Sequence, residues 1–362
     1  MINSNTELIY VLGTKAQFIK SKYILKNLIE NNCKIYILDT GQHKEITSKE
    51  LDFLKNFELI TLSKNKKNIS TISSMIFWFL KILIKNNKID EISRAQYCLV
   101  HGDTISTLIG LIFAKRNNLK IVHIESGLRS YNWLKPFPEE IIRFLVTKYS
   151  DVISIDSKVA ENNVQKYKDQ KHIIKLSRNT IYDSVISYKN SFDIQKKDIL
   201  TVTIHRTENI YNRRKLKEFV NLLLEIKKRN IFQEVDWYCH DITFSALRKN
   251  NFIEVLSNNK INLKSLTTHS EFINVLLSSA CVITDGGSIA EECSILNIKT
   301  VIWRDVVENV EYLNESILLA KYDINQALDF MKVKSNKVIV DENITSPSKE
   351  FVKQLLNLSS LK

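Results

Sequence analysis

Carboxylates placed just after short apolar runs are the first chemistry this chain offers. Asp103 follows Gly102 at the end of a run that starts at Tyr97, and Glu125 takes the equivalent place after Lys120 to Ile124. At the tips of neighbouring strands two such groups repel and shift each other's proton affinity, which suits acid/base chemistry. Asp103 has a plainer role open to it, capping the helix that starts near Thr104. A third carboxylate, Glu139, stands in Pro136-Phe137-Pro138-Glu139-Glu140, where two prolines stiffen a loop before a helix. It either complements the helix dipole or is presented to a cleft. Farther on, His205-Arg206 puts an imidazole and a guanidinium at a strand end. Thr284-Asp285-Gly286-Gly287-Ser288 reads as strand, glycine turn and helix start. Backbone amides at such a start bind phosphate, and Glu292, one turn in, can accept from ribose hydroxyls.

Glycine use supports these choices. The 362 residues contain seven glycines, and Gly13, Gly41, Gly102, Gly127, Gly286 and Gly287 each close a short apolar run. In so glycine-poor a chain the residue is expected where φ is positive or a ligand comes close. Other chemistries lack their signatures. No G-x-G-x-x-G, Walker A or G-x-S-x-G pattern occurs, and no His or Cys spacing suits a metal, so neither a bound cofactor nor a metal is expected.

Positioning these groups requires strands that end together. Leu8 to Leu12, Lys34 to Leu38, Tyr97 to Val100, Lys120 to Ile124 and Asp151 to Ile155 read as buried parallel strands separated by helices. A polar pause spans Ser184 to Lys197. A second series then runs through Ile199 to Ile204, Val235 to Cys239, Ile261 to Leu263, Cys281 to Ile283, Thr300 to Trp303 and Ile317 to Ala320. The fold class predicted is α/β, with two Rossmann-like domains facing across a cleft, at residues 1–184 and 198–346. A C-terminal helix over 347–362 carries Phe351, Val352, Leu355 and Leu356 at helical spacing and is free to pack on either domain.

The bulk numbers narrow the partners. A net charge of +12 comes without a long basic block, so nucleic acid is not expected, and an anionic substrate is favoured. Five cysteines without a C-x-x-C pair predict buried thiols in a reducing compartment. The opening residues Asn3, Ser4, Asn5 and Glu7 predict no secretory signal, and a cytoplasmic location follows. The aromatic stretch Met75 to Leu80, with Ile82 to Ile84, is too short for a membrane span and reads as a core helix.

Eight clusters in order, from Gly13-Thr14-Lys15 and Thr40-Gly41-Gln42-His43 through the Asp103, Glu125 and Glu139 segments, Asn179-Thr180 and His205-Arg206-x-Glu208-Asn209 to Gly286-Gly287-Ser288-x-x-Glu291-Glu292, resemble UDP-N-acetylglucosamine 2-epimerases. The resemblance implies a GT-B fold whose C-terminal helix returns to the first domain. It also implies a UDP-sugar substrate and homodimerisation as the family habit. In the implied reaction UDP is eliminated across C1 and C2 of UDP-GlcNAc, leaving 2-acetamidoglucal. Re-addition after protonation on the other face gives UDP-ManNAc, for surface polysaccharide synthesis. Asp103, Glu125 and Glu139 become acid/base candidates, with His205 near the diphosphate or sugar. Lys15 and Lys20 would face phosphates beside Arg206, Gly286 to Ser288 would hold the diphosphate, Glu292 the ribose, and Phe272 would lie by uracil.

The chain departs from the family at the substrate grip. Gly-Thr-Arg-Pro-Glu is Gly13-Thr14-Lys15-Ala16-Gln17 here, Ser-Gly-Gly is Gly286-Gly287-Ser288, Glu-Glu-x-Asn-Arg is Glu139-Glu140-Ile141-Ile142-Arg143, and an arginine near phosphate is Asn309. Three alternatives stand beside the epimerase: a hydrolysing enzyme releasing ManNAc and UDP, a GT-B glycosyltransferase, and an idle nucleotide-sugar binder. Retention of the acid/base set disfavours the last.

Overall fold

The computed structural model describes residues 6–42, 51, 53–63, 72–84, 92, 94–133, 137–189, 194–307, 309–333 and 345–358. The chain divides into two compact units, Met1–Ser184 with Ile344–Lys362, and Val185–Asn343.

Seven parallel strands form the first unit: β1 (Glu7–Leu12), β2 (Lys34–Asp39), β3 (Phe57–Thr61), β4 (Tyr97–His101), β5 (Lys120–Ile124), β6 (Val152–Ile155) and β7 (His172–Lys175). Their order is β3-β2-β1-β4-β5-β6-β7. Successive side chains on a strand point to opposite faces, so β1 feeds two cores. Leu8, Tyr10 and Leu12 enter one core and Ile9 and Val11 the other. The C-terminal helix Pro347–Leu358 supplies Phe351, Val352 and Leu355 to the first of these cores, beside Ile24 and Leu28 of the helix Lys15–Glu30. It therefore returns to the first unit. Burying each of those apolar side chains contributes about 1.5–3 kcal/mol.

The sheet order reverses between β1 and β4, and a capped helix follows each of these strands. Thr14 accepts from Gln17 N (3.2 Å), while Gln17 Oε1 accepts from Gly13 N (3.1 Å) and Thr14 N (3.2 Å), a reciprocal capping box. Gln17 also donates to His101 O (2.8 Å), tying the end of β1 to the end of β4. Thr104 caps the helix Ile105–Arg116. Chain direction and caps thus open a crevice at the strand ends, where ligands of such sheets bind.

In the second unit β8 (Ile199–Thr203), β9 (Glu234–Cys239), β10 (Ile261–Ser265), β11 (Cys281–Thr284), β12 (Thr300–Ile302) and β13 (Ile317–Leu319) lie parallel in the order β10-β9-β8-β11-β12-β13. Leu200, Val202 and Ile204 meet Phe219, Trp237 and Trp303 in its core. Here the reversal falls between β8 and β11.

Two expectations need correction. Strands β3 and β7 escape a reading based on apolar runs, because each lies at a sheet edge where few side chains are buried. The pause from Ser184 is in part helical, since Ile181–Lys189 runs into it. The helix Ile72–Ile84 joins the core along one stripe only. Trp78 and Ile82 are buried on one stripe, whereas Phe77 is 71% and Ile84 83% exposed, because only one side of the helix meets the sheet. No described helix is long and apolar enough to cross a membrane.

Candidate active site

Glu125 stands at the carboxyl end of β5 with φ +59°, a left-handed conformation that side chains other than glycine seldom adopt. This backbone turn delivers its carboxylate into a set of donors. Lys20 Nζ donates to Oε1 (2.5 Å), Asn179 Nδ2 donates to the same oxygen (3.0 Å), and His101 Nε2 lies 3.2 Å from Oε2. An ionised carboxylate can only accept, so Nε2 of His101 carries the proton and Nδ1 accepts from Ser21 Oγ at 3.0 Å. Ser21 in turn accepts from the Tyr10 hydroxyl (2.7 Å). Burial opposes the charge on Glu125, but Lys20 and His101 outweigh it and hold the carboxyl well below its usual range.

Asp103 is drawn to a different cation. Arg143 Nε donates to its Oδ2 at 2.7 Å. Arg143 lies one turn beyond Glu139 on the helix Glu139–Tyr149, so Glu139 shares the face that reaches Asp103. The next residue, Glu140, is fully buried and accepts from Arg129 Nε (2.5 Å), Ser130 N (2.9 Å) and Tyr131 N (3.2 Å). It fixes the incoming loop and leaves Glu139 as the half-buried carboxylate of the pair. His123 donates from Nε2 to Gly102 O (2.8 Å), and burial pushes its titration down to about 4, so a neutral ring pins the glycine before Asp103. A Cβ added at Gly102 would come within 3.7 Å of Glu125 Oε2. The structure thus gathers Asp103, Glu125, Lys20 and the face bearing Glu139 at the ends of β4 and β5.

The carboxylate joined to Glu125 by a shared donor is Asp156, which follows β6. Asn179 Nδ2 donates to Asp156 Oδ2 (2.6 Å) as well as to Glu125. Burial first, and then the charge of Glu125, push the Asp156 carboxyl up to about 6. Lys20, expected toward phosphate, lies on Glu125, and Lys15 begins the helix after β1, half-buried.

In the second unit the corresponding crevice is organised by Asp285, fully buried after β11. Its carboxylate accepts from His205 N (3.0 Å), Arg206 N (3.0 Å) and Asn209 Nδ2 (2.8 Å), and Oδ1 lies 3.3 Å from His205 Nδ1. The end of β8 is clamped to the end of β11, and the half-buried His205 ring is aimed by that clamp. Burial lowers the proton affinity of His205, and the Asp285 charge partly opposes this. The Arg206 guanidinium reaches Glu208 at 3.4 Å.

Gly286 caps the helix Gly287–Ile295 without any side-chain cap, and Ser288 in its first turn is exposed. Positive φ is not what these glycines supply, since it occurs only at Gly41, Gly102 and Gly127 among the described glycines. At Gly13 a Cβ would meet Ser106 Oγ at 1.8 Å, and at Gly286 it would meet His205 Cε1 at 3.0 Å. Gly287 faces open space. Glu292, buried in the next turn, pairs with His269 Nε2 at 2.8 Å. Phe272, three residues after His269 on the same helix face, meets the ring of Tyr238 edge-on at 5.5 Å.

Asp285 and Asn209 stand in the quoted motifs without an assigned role, and Asp156 stands outside them. The signal for Asp156 was present, because it follows a buried strand just as Glu125 does. His43, Pro136 and Glu308 lie outside the described residues. No group of three or more His, Cys, Asp or Glu that could hold a metal occurs among the described residues.

Comparison with known proteins places this arrangement. A family model described as UDP-N-acetylglucosamine 2-epimerase matches residues 26–334. The chain is 28% identical over 324 residues to a UDP-N-acetylglucosamine 2-epimerase of Methanocaldococcus jannaschii, covering 83% of this chain and 84% of that protein. To one of Methanococcus maripaludis it is 29% identical over 351 residues, covering 90% and 92%. A crystal structure of the M. jannaschii enzyme in complex with UDP-GlcNAc and UDP has the same fold, with TM-score 0.75, 24% identity and coverage of 98% and 99%. The crystal structure from Neisseria meningitidis bound to UDP-GlcNAc gives TM-score 0.74 at 20% identity, covering 99% of each chain. With the match spanning most of its length, the chain belongs to the UDP-N-acetylglucosamine 2-epimerase family.

Proposed function

We propose that the protein interconverts UDP-GlcNAc, or a close UDP-2-acetamido sugar, and its manno epimer. UDP leaves across C1 and C2, the C2 proton goes to a protein base, and the 2-acetamidoglucal formed is protonated on its other face before UDP adds back. The C2–H bond is weakly acidic, so the reaction needs carboxylates held near the carbon and a well-held diphosphate. Glu125, Asp103 and Glu139 supply the first requirement in this reading, with Lys20 holding Glu125 ionised and Arg143 orienting Asp103. His205 and the helix start at Gly286, Gly287 and Ser288 supply the second, helped by Lys15 and Arg206. Glu292 takes the ribose and Phe272 the uracil.

The carrying observation is the Glu125 centre: a carboxylate on a strained turn at a strand end, in contact with a cation and a histidine, in a chain of this family. The family match favours epimerisation over glycosyl transfer. Five buried free thiols support a cytoplasmic setting, and the homodimer belongs to the same reading. Supply of a manno sugar nucleotide for surface polysaccharide is its place in this account.

Proton NMR of purified protein with UDP-GlcNAc alone tests it. Appearance of UDP-ManNAc is expected. Free ManNAc with UDP would place the chain among hydrolysing enzymes, and an unchanged spectrum would overturn the reading. Sedimentation of the same sample reads the dimer.

A further inference from the structure

Asp156 is a buried carboxylate that the reaction as described does not use. Its Oδ2 takes the short bond from Asn179, while Oδ1 finds no hydrogen-bond partner among the described residues. The same Asn179 amide nitrogen donates to Glu125, so the two carboxylates are joined through one NH2 group. Asn179 is fixed in turn by its own Oδ1, which accepts from Ile181 N at 3.0 Å. The groups facing this pair are Lys20 from the helix after β1, His101 from β4, His123 from β5 and the Tyr10 hydroxyl from β1. Lys20 and His101 both make Glu125 a weaker base. Asp156 is the carboxylate whose negative charge acts on Glu125 in the opposite sense.

We propose that Asp156 is a positioning residue for Glu125, coupled to it through the shared Asn179 amide and setting how strongly Glu125 holds a proton. This rests on the epimerase reading for its kinetic form, and on geometry alone for the coupling. Electrostatic coupling between two titrating sites is reciprocal: what Glu125 does to Asp156, Asp156 does to Glu125. A carboxylate held far below the working pH is a poor base, so an ionised Asp156 raises the rate of any step in which Glu125 accepts a proton. Protonation of Asp156, with its affinity pushed up to about 6, cancels that gain in acid.

The test is Asp156→Asn, which keeps shape and one acceptor for Asn179. Wild type and variant are compared with UDP-GlcNAc from pH 5 to pH 8.5. The expected result is a kcat about three- to tenfold lower in the variant at pH 8, converging on the wild-type value at pH 5, with KM changed less than twofold. A kcat ratio that stays constant across the range, or a loss confined to KM, overturns the proposal. A second readout needs no turnover. Carbon NMR of protein labelled at the aspartate carboxyls, with the resonance assigned by its loss in Asp156→Asn, follows the Asp156 titration in wild type and in Glu125→Gln. A downward move of its midpoint in Glu125→Gln is expected, and an unmoved midpoint overturns the coupling. If wild type shows no turnover but the midpoint moves, the epimerase reading fails and the coupling stands.

Discussion

Asp285→Ala is the substitution whose consequence the structure defines most fully. The carboxylate has no exposure and takes three N–H donors, two from the backbone just past β8 and one from Asn209. Its removal leaves three donors without their acceptor; Asn209 Nδ2 keeps only a 3.5 Å contact to Trp303 O, while its Oδ1 still accepts from Tyr322 at 2.9 Å. Each lost bond to a charged acceptor costs about 1.5–3 kcal/mol, but partial relaxation makes such terms less than additive. A loss of about 4 kcal/mol is expected for Asp285→Ala. For Asp285→Asn the expected loss is about 2 kcal/mol, because one oxygen still serves Arg206 N and Asn209. Against a total stability of about 5–15 kcal/mol these are large effects. Urea unfolding followed by the fluorescence of the buried Trp237 and Trp303 should show the midpoint of this unit fall by about 2 M for Ala and about 1 M for Asn. The His205 ring should also titrate lower in both variants, since the Asp285 charge now opposes the effect of burial. A midpoint within 0.3 M of wild type for Asp285→Ala (roughly the error of such extrapolations) would refute the idea that this carboxylate clamps β8 to β11.

Three more outcomes follow from named contacts. His123 is a base whose folded affinity, about 4, lies below its unfolded value, so the unfolded chain binds the proton first and stability falls with pH from about 6.5 down to 4. His123→Gln should remove about 3 kcal/mol of that acid loss, read as the difference between wild-type and variant stability at pH 7 and pH 4. Gly286→Ala presses a methyl group to 3.0 Å from the His205 ring and should lower kcat at least tenfold, whereas Gly287→Ala meets nothing within 4 Å and should raise KM for the nucleotide sugar if a ligand occupies that space. Phe351→Ala empties a buried site between the C-terminal helix and the helix Lys15–Glu30 and should cost about 3–5 kcal/mol in chemical unfolding of the first unit.

How far the sequence carries depends on where a residue's partners come from. Central strands such as β4 and β5 are legible because burial on both faces demands unbroken apolar runs, and the residues that follow them, Asp103 and Glu125, are legible for the same reason. Edge strands β3 and β7 carry Glu58, Thr61, His172 and Lys175 among their few residues and look like loop. The helix at Ile72–Ile84 misleads in the opposite way, since its apolar residues outnumber the positions the sheet can cover. Partners across long sequence separations were not legible. Nothing in the order of residues tells that Arg143 belongs to Asp103, Lys20 to Glu125, or Asn179 to both Glu125 and Asp156, because those pairings come from register and strand order. The glycines show the same limit: their positions were informative, but whether φ or close approach required them depended on neighbours such as Ser106 and His205.

Exchange of the sugar's C2 hydrogen with solvent addresses the proposed chemistry at the reacting atom. Purified protein incubated with UDP-GlcNAc in deuterated water should place deuterium at C2 of both epimers, and Glu125→Gln should slow that incorporation by two orders of magnitude or more, a size typical of a lost acid/base group. Accumulation of UDP-ManNAc with hydrogen retained at C2, or exchange at the wild-type rate in Glu125→Gln, would contradict the assignment of this carboxylate to the proton transfer.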